Sequence, residues 1–238
     1  MKTYRHVSGP PEEVILPIIT ASIHELLVEA SRDPGTVGKV LDVGCGEQPL
    51  KQVLLDRGYS YHSCDIRQNR MGTVEFVMPI DGALPTSILD LAPFSLLLCT
   101  EVLEHVLDWS NAFRNMSQLA GSGGRVLVTC PFVYFPHERP HDYWRPTIHA
   151  INAFAERHGF RILRSLEAGS PWDVLRLILK SQIVLQRNPR PSARLSSFCL
   201  RRLCGALEHV LRSEWIKARV SMRSEFYLNT AVLMQRGP

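Results

Sequence analysis

The most informative stretch of the chain is Lys39-Val-Leu-Asp-Val-Gly-Cys-Gly46, an apolar run with one acid that leads into two glycines one residue apart. A helical pattern follows, in which Leu50, Val53 and Leu54 fall on one face. This order predicts a strand, a tight turn and a helix. Glycines let such a turn bend sharply and approach a ligand, because they lack a Cβ. In a parallel α/β sheet the turn lies at the carboxyl end of the strand, where ligands bind.

The Val-Leu-Asp-Val-Gly-Cys-Gly part of this stretch resembles the first motif of class I S-adenosylmethionine-dependent methyltransferases. The resemblance implies that Asp42, Gly44, Cys45 and Gly46 form the part of the site that holds the methionyl group of S-adenosylmethionine, whose amino group and sulfonium are positively charged. A nicotinamide site would instead need a third glycine, and Glu47 puts a negative charge where a pyrophosphate would sit. A nucleotide-dependent oxidoreductase is therefore a disfavoured alternative.

Further residues extend the cofactor site that the resemblance implies. The second predicted strand ends at Asp65, nineteen residues after Gly46, close to the ~20 expected for an acid that accepts hydrogen bonds from ribose hydroxyls. Ile66, next to it, joins the predicted site. A third short strand, 73–78, precedes Asp81, which the resemblance places beside the adenine. The spacing from Asp81 to the following Leu-Pro is one residue shorter than the family pattern.

The fourth predicted strand, residues 94–100, is apolar throughout, as a central parallel strand should be. It leads into Thr100-Glu-Val-Leu-Glu-His-Val106, and the resemblance implies that Thr100 and Glu101 lie over the cofactor. Within the family, Glu-x-Leu-Glu-His-Val is typical of the branch that contains ubiquinone-type O-methyltransferases and many small-molecule enzymes. His105, one helical turn further on, is either a catalytic or a packing residue.

A long loop over residues 131–147, rich in histidine and aromatic residues, follows the fifth predicted strand, and loops at the carboxyl end of a sheet often carry function. Its Pro-His-x-x-Pro-x-Asp-Tyr-Trp-Arg segment looks like one in bacterial methyltransferases that often accompany glycan or natural-product biosynthesis. The resemblance makes Asp142, Tyr143, Trp144 and Arg145 candidates for binding the acceptor. Asp142 and Arg145 could instead pair with each other to hold the loop.

Methyl transfer to a hydroxyl would benefit from a general base, which typically contributes ~10²–10⁴-fold in rate. His137 is the first candidate for this role, followed by His105 and His141. His137, His141 and Asp142 are also residue types that ligate metals. No fourth ligand is suggested, so no metal site is predicted.

A basic segment, residues 170–224, precedes the last predicted strand. It carries eleven Lys and Arg against three Asp and Glu, a net charge of +8 in a chain whose overall net charge is +4. Two or three helices are predicted, with a break at 188–192 and an apolar stripe. The stripe consists of Trp172, Leu175, Leu179 and Ile183. The segment is either a lid packed on the core or an element that seats the enzyme peripherally on an anionic membrane.

Composition limits the other possibilities. The chain has 238 residues, enough for one sizeable core, and its 45% hydrophobic and 21% charged residues are ordinary for a globular protein. No apolar run reaches the ~20 residues of a membrane span, and the polar N-terminus lacks the apolar core of a secretory signal. Six cysteines without a Cys-x-x-Cys pair indicate reduced, mostly buried thiols. These features predict a cytoplasmic protein, with the basic segment as the candidate contact to the inner face of the membrane.

These observations and the resemblance predict an α/β fold with a Rossmann-like, doubly wound, seven-stranded and mostly parallel sheet; the antiparallel last strand is supplied by the resemblance. A single domain over 1–238 is expected. Its parts are an N-terminal helix at 12–31, a cofactor-binding core at 38–167, a helical insertion at 170–224 and the last strand at 225–236. The predicted function is S-adenosylmethionine-dependent methyl transfer, to the oxygen of a small molecule or saccharide.

Two other functions stay open. A nucleic-acid methyltransferase would use the basic segment, but the Asn/Asp-Pro-Pro-Tyr/Phe motif with which amino-directed enzymes grip a flipped base does not follow the fourth strand. Nucleic acid is therefore not the expected partner. A methyltransferase-like protein could also bind the cofactor or a partner without catalysing a reaction.

Overall fold

The computed structural model describes residues 11–32, 37–182, 194–222 and 225–238. The break predicted at 188–192 lies outside the described residues. The elements follow along the chain in this order: α1 Glu12–Ala30, β1 Lys39–Val43, α2 Lys51–Asp56, β2 Ser60–Asp65, β3 Phe76–Val77, α3 Thr86–Leu89, β4 Leu96–Thr100, a 3₁₀ helix Leu103–His105, α4 Trp109–Ala120, β5 Arg125–Pro131, α5 Ile148–Arg157, β6 Phe160–Ala168, α6 Pro171–Gln182, α7 Arg194–Arg212, α8 Glu214–Lys217 and β7 Asn229–Arg236.

The strands form one seven-stranded sheet in the order β3-β2-β1-β4-β5-β7-β6. The pairs among β1 to β5 are parallel, whereas β7 runs antiparallel between β5 and β6. The predicted fold class is therefore confirmed, including the antiparallel last strand.

The apolar runs of the central strands are explained by burial on both faces of the sheet. Successive residues of a strand point to opposite faces. Leu41 and Leu97 join the core layer beneath α4 and α5, while Val40 and Leu96 join the layer beneath α1 and α2. Helices cover both sides, so neither face can be polar, and the strands lose the alternation that a half-exposed sheet would show.

Several boundaries agree with the sequence and some do not. Asp108 caps α4 by accepting a 2.9 Å hydrogen bond from the Asn111 N–H, and Thr147 caps α5 through the Ala150 N–H at 3.2 Å. The third strand is much shorter than the predicted 73–78, because only Phe76 and Val77 pair with β2. The last strand begins at Asn229 rather than at residue 225.

The basic segment forms helices, and the predicted apolar stripe of α6 is buried only in part: Leu179 is buried and Trp172 is half-buried. Val174 and Leu177, which are not in the stripe, pack with Val14 of α1 and with Leu228 just before β7, whereas Leu175 of the stripe is 40% exposed. The helix is apolar on more than one side, so the sequence pattern alone could not fix its rotation. Ile183 lies outside the described residues. No helix in the described part of the chain is both long and apolar enough to cross a membrane.

Candidate functional site

The glycine turn lies where the sheet changes its winding direction. β1 pairs with β2 on one side and β4 on the other, and the helices that follow β1 and β4 pack on opposite faces. Loops that leave in opposite directions open a crevice at the carboxyl ends of the strands. The backbone N–H groups of Gly44 and Cys45 both donate to the Cys64 carbonyl, at 2.8 and 3.1 Å. The turn is therefore anchored to the end of β2.

Gly44 and Gly46 meet two different requirements. Both have a positive φ, 67° and 49°, which side chains disfavour. A Cβ on Gly44 would lie 2.2 Å from the Val102 Cγ2, whereas a Cβ on Gly46 would meet nothing within 4 Å. Gly44 therefore lets the segment after β4 pack directly over the turn. Gly46 leaves open space at the crevice.

Asp65 is joined directly to the glycine turn. Its Oδ2 accepts a 2.9 Å hydrogen bond from the Gly46 N–H, and its Oδ1 accepts one of 3.2 Å from the Arg67 N–H. Asn69 donates from its side chain to the Gly46 carbonyl at 3.2 Å. Ile66, predicted as its neighbour in the site, is 70% exposed. The structure thus brings the predicted Asp65, Ile66 and Gly46 to one edge.

Asp42 and Cys45 are buried beside the turn but do not face open space. The Asp42 carboxylate is 2% exposed and accepts a 2.7 Å hydrogen bond from the Tyr61 hydroxyl, rather than one from the glycine turn. Burial raises the pKa of Asp42 to about 7, although the Tyr61 hydrogen bond opposes this shift. Burial, together with the nearby Asp42 and Asp65, raises the pKa of the Cys45 thiol to about 12.

The loop that carries Asp81 is fixed by α4. Asn111 donates to the Asp81 carbonyl, and Asn115 donates to the carbonyls of Ile80 and Gly82, both at 2.7 Å. The Asp81 side chain is left half-buried. These bonds hold the backbone after β3 in one place, as a binding loop requires.

The residue that follows β4 has a strained backbone. Thr100 is buried, and the following Glu101 has a φ of 56°, which costs energy for a residue with a side chain. The Glu101 carboxylate accepts hydrogen bonds from the Thr129 hydroxyl at 2.7 Å and the Asn229 amide at 2.8 Å. Burial raises its pKa, and these two hydrogen bonds oppose the shift. Thr129 and Asn229 on β5 and β7 therefore set the position of Glu101.

A buried carboxyl lies beneath two of the predicted histidines. Glu104 is 0% exposed, and its Oε1 lies 3.8 Å from the His105 Nε2 and 3.9 Å from the His137 Nε2. The two imidazole rings meet edge to face, with centroids 4.8 Å apart. Burial raises the pKa of Glu104 well above its usual range, and the nearby Glu101 adds to the effect. Glu104, His105 and His137 therefore form one cluster.

Each histidine of the cluster is held on its other side. The His105 Nδ1 lies 2.7 Å from the His141 carbonyl and must donate to it. The His137 Nδ1 lies 3.3 Å from the Asp142 Oδ2, which also accepts from the His137 backbone N–H at 2.7 Å. Burial lowers the pKa of His137, with a further contribution from His105, while Asp142 opposes the shift.

Asp142 and Arg145 form an internal clasp rather than a free pair of charges. The guanidinium donates to both Asp142 carboxylate oxygens, at 2.7 and 2.8 Å, and also to the carbonyls of Tyr134 and Phe135, at 3.2 and 3.1 Å. Although burial opposes it, hydrogen bonding from Arg145 and His137 lowers the pKa of Asp142 to about 2. The clasp holds the loop that carries His137.

The remaining loop residues lie outside the cluster. The His141 side chain contacts the Tyr143 hydroxyl at 2.9 Å, so only its carbonyl reaches His105. Trp144 donates from its indole to the Val106 carbonyl at 2.8 Å. Tyr143 and Trp144 both remain exposed, and they are the most exposed of the four predicted acceptor-binding residues.

The sequence prediction assigned no role to Glu104, Thr129 or Asn229. The sequence could have identified Glu104 as a site residue, because it lies within the Glu-x-Leu-Glu-His segment that also contains Glu101 and His105. No sequence pattern indicates Thr129 or Asn229, since their contact with Glu101 depends on the pairing of β5 with β7. The cluster of Glu104 with His137 likewise joins residues far apart in sequence.

The comparisons with known proteins agree with this geometry. A family model described as a methyltransferase domain matches residues 18–166. The chain is 32% identical over 110 residues to a ubiquinone biosynthesis O-methyltransferase of Xylella fastidiosa, a match that covers 42% of this chain and 44% of that protein. The chain thus spans less than half the length of this curated relative.

Two solved structures share the fold at low identity. One is the O-methyltransferase of a polyketide synthase from Brevibacillus brevis in complex with S-adenosyl-L-homocysteine (TM-score 0.56, 13% identity, covering 99% of this chain and 82% of that one). The other is a SAM-dependent methyltransferase from Archaeoglobus fulgidus (TM-score 0.55, 12% identity, covering 92% and 94%). The family model covers more than half of the chain. The sheet order of the structure and its glycine turn at the crevice agree with that match, and the protein belongs to the methyltransferase domain family.

Proposed function

We propose that this methyltransferase transfers a methyl group from S-adenosylmethionine to an oxygen atom of a small-molecule acceptor. The observation that carries the proposal is the contact of Val102 with Gly44. This contact places the segment with Glu101, Glu104 and His105 directly over the glycine turn. A cofactor in the turn and an acceptor beside the imidazoles would therefore be neighbours.

The residues around the turn fit this cofactor. Gly46 leaves open space where a side chain would otherwise sit, and the Asp65 carboxylate lies next to it. When bound, S-adenosylmethionine supplies a methyl group that its sulfonium already activates. The turn and Asp65 therefore have to bind and orient, and alignment with the acceptor oxygen is the main catalytic contribution of the protein.

The acceptor hydroxyl has to lose its proton near the histidine cluster. His137 is the first candidate for the base, because the Asp142 carboxylate lies on its Nδ1 side and leaves the Nε2 facing the cluster. His105 has a fixed Nδ1 in the same way and is the second candidate. His141 is the weakest of the three, since its side chain contacts Tyr143.

The choice of oxygen is supported by the curated relatives, which are named ubiquinone biosynthesis O-methyltransferases. Phenols and catechols are therefore the first acceptors to test, and saccharides the second. S-adenosylhomocysteine formation is the readout, with His137→Ala, His105→Ala and His141→Ala compared with the unaltered chain. His137→Ala should depress turnover by ~10²-fold or more and leave cofactor affinity unchanged. Full activity in all three variants would remove base catalysis by these histidines.

We also propose that α7 contacts an anionic membrane. The helix exposes Leu200, Leu203, Leu207 and Val210 as a stripe, and Arg202 and Arg212 of the same helix are also exposed. Apolar burial combined with basic charge favours anionic lipid, at ~1 kcal/mol for each charge near the surface. Flotation with anionic but not neutral vesicles, weakened by salt, would support the contact. If the protein does not float with anionic vesicles, the membrane contact is rejected and the basic segment is interpreted as a lid packed on the core.

A further inference from the structure

Two imidazole nitrogens and one buried carboxyl oxygen converge at the histidine cluster. The Oε1 of Glu104 lies 3.8 Å from the His105 Nε2 and 3.9 Å from the His137 Nε2, and one ligating atom from each residue lies within 4.8 Å of the others. Neither distance from Glu104 is short enough for a hydrogen bond. The three atoms therefore face one another without a direct hydrogen bond.

The surroundings fix which ring nitrogens face the cluster. The His105 Nδ1 donates to the His141 carbonyl, so its Nε2 carries the lone pair. The His137 Nδ1 lies 3.3 Å from the Asp142 Oδ2 and 3.5 Å from the Arg145 guanidinium, so the His137 ring presents its Nε2 to the cluster. Histidines that bind a metal are typically held in this way, with the second ring nitrogen on a carbonyl or carboxylate.

Glu104 supplies the independent observation. Its Oε1 is buried and has no hydrogen-bond partner among the described residues, and an unsatisfied buried acceptor normally costs ~1–3 kcal/mol. The guanidinium of Arg145, which acts on Glu104 electrostatically, is already engaged by both oxygens of Asp142. A cation between Glu104 and the two imidazoles would satisfy all three groups at once.

We propose that Glu104, His105 and His137 bind one divalent transition-metal ion. Two imidazoles and one carboxylate suit Zn²⁺, Mn²⁺, Fe²⁺ or Co²⁺ better than Mg²⁺ or Ca²⁺, which prefer oxygen ligands alone. Ligand atoms each ~2.1 Å from a shared ion in tetrahedral geometry lie ~3.4 Å apart. The cluster is therefore slightly more open than a loaded site and would close by small side-chain rotations.

The chemical consequence rests on the proposed function. An acceptor hydroxyl bound to the ion loses its proton to water more readily, because the ion stabilises the oxyanion. That oxygen then forms its bond to the methyl carbon while the carbon–sulfur bond breaks and its electron pair stays on sulfur. When the metal ion is bound, His137 is a ligand and does not act as the general base. The ion then lowers the pKa of the acceptor hydroxyl.

Metal binding can be measured without an acceptor. The full chain, stripped with EDTA, is titrated with Co²⁺ and followed by its visible absorption, and with Zn²⁺ by calorimetry. One equivalent should bind, and Glu104→Gln, His105→Ala and His137→Ala should each weaken binding at least ~10-fold. His62→Ala is the matched control, because His62 also pairs with a carboxylate, Glu75 at 2.9 Å, outside the cluster. It should bind the metal like the unaltered chain.

The proposal is overturned if the unaltered chain binds no equivalent of Co²⁺ or Zn²⁺, or if none of the three ligand variants weakens binding while circular dichroism shows them folded. Methyl transfer that persists in EDTA without bound metal would reject the metal and leave the proposed function intact. Stoichiometric metal binding with no methyl transfer to any acceptor would reject the proposed function and leave the metal site intact.

Discussion

The backbone N–H of Gly46 donates a 2.9 Å hydrogen bond to the Asp65 Oδ2, so the ends of β1 and β2 are joined at the crevice. The second carboxylate oxygen is held by the Arg67 N–H. Asp65 is therefore oriented before any ligand binds, and little side-chain entropy is left to lose on binding.

Asp65→Ala should weaken the binding of S-adenosylhomocysteine by ~1–3 kcal/mol, because hydrogen bonds to the ribose hydroxyls would be lost. Calorimetry measures the change. Asp56→Ala is the control, since Asp56 lies exposed at the far end of α2 and should bind normally. Unchanged affinity in Asp65→Ala would remove this residue from the cofactor site.

Alanine at the two glycines should separate folding from binding. Gly44→Ala places a Cβ 2.2 Å from the Val102 Cγ2, so strain and overpacking should lower the free energy of unfolding by ~2–4 kcal/mol. Gly46→Ala meets no neighbour and should cost only ~1–2 kcal/mol for its left-handed backbone. It should nevertheless weaken cofactor binding, because its methyl group projects into the crevice. Denaturant titration and calorimetry on both variants test this contrast, which equal stability losses would contradict.

Much of the fold was predictable because its signals are local. The strand, turn and helix around Gly44 and Gly46, and the caps Asp108 and Thr147, each depend on a few consecutive residues. The rotation of α6 was not predictable, since Leu175 and Leu177 are equally apolar and only the packing on Val14 and Leu228 distinguishes them.

Asp42→Asn should stabilise the protein at neutral and higher pH. The folded pKa of Asp42 is about 7, against an ordinary value of 3.8. Below pH ~4 the carboxyl is protonated in both states. As the pH rises to ~7 the unfolded state ionises first and the folded state loses relative stability, by on the order of 2–4 kcal/mol when complete. The asparagine variant keeps an acceptor for Tyr61 and escapes this loss.

Unfolding free energies at pH 4.5 and pH 8 measure the difference between Asp42→Asn and the unaltered chain, which should grow with pH. Asp56→Asn, at an exposed position, should show no such growth. An Asp42→Asn variant that is less stable than the unaltered chain at pH 8 would show that the buried carboxylate contributes favourably there.

Arg145→Lys should impair turnover without changing cofactor affinity. The guanidinium binds both oxygens of Asp142 and two carbonyls of the loop, and a lysine ammonium cannot reproduce this planar set of bonds. The loop that carries His137 would shift, and a displacement of ~1 Å typically costs ~10²-fold in rate. Arg161→Lys, at an exposed arginine that contacts Gln235, is the control. Wild-type turnover in Arg145→Lys would show that the clasp does not position His137.

The candidate site was predictable only where its residues follow strand ends, and not where a loop brings distant residues together. Asp65 and the glycines follow strand ends and share an edge by topology, so their meeting could be inferred. His137 and Glu104 meet only because the loop after β5 folds back, with the Tyr143 N–H donating to the Glu104 carbonyl at 2.8 Å. No spacing in the sequence encodes that return. For Asp142 and Arg145 the sequence left open whether they bind the acceptor or pair to hold the loop, and the structure shows the pair.

Calorimetric titration of the unaltered chain with S-adenosylhomocysteine and, separately, with a reduced nicotinamide dinucleotide tests the assignment of the crevice. S-adenosylhomocysteine should bind with one-to-one stoichiometry, and the dinucleotide should neither bind nor compete. Binding of the dinucleotide in preference to S-adenosylhomocysteine would contradict the assignment of the glycine turn and Asp65 to a methyl donor.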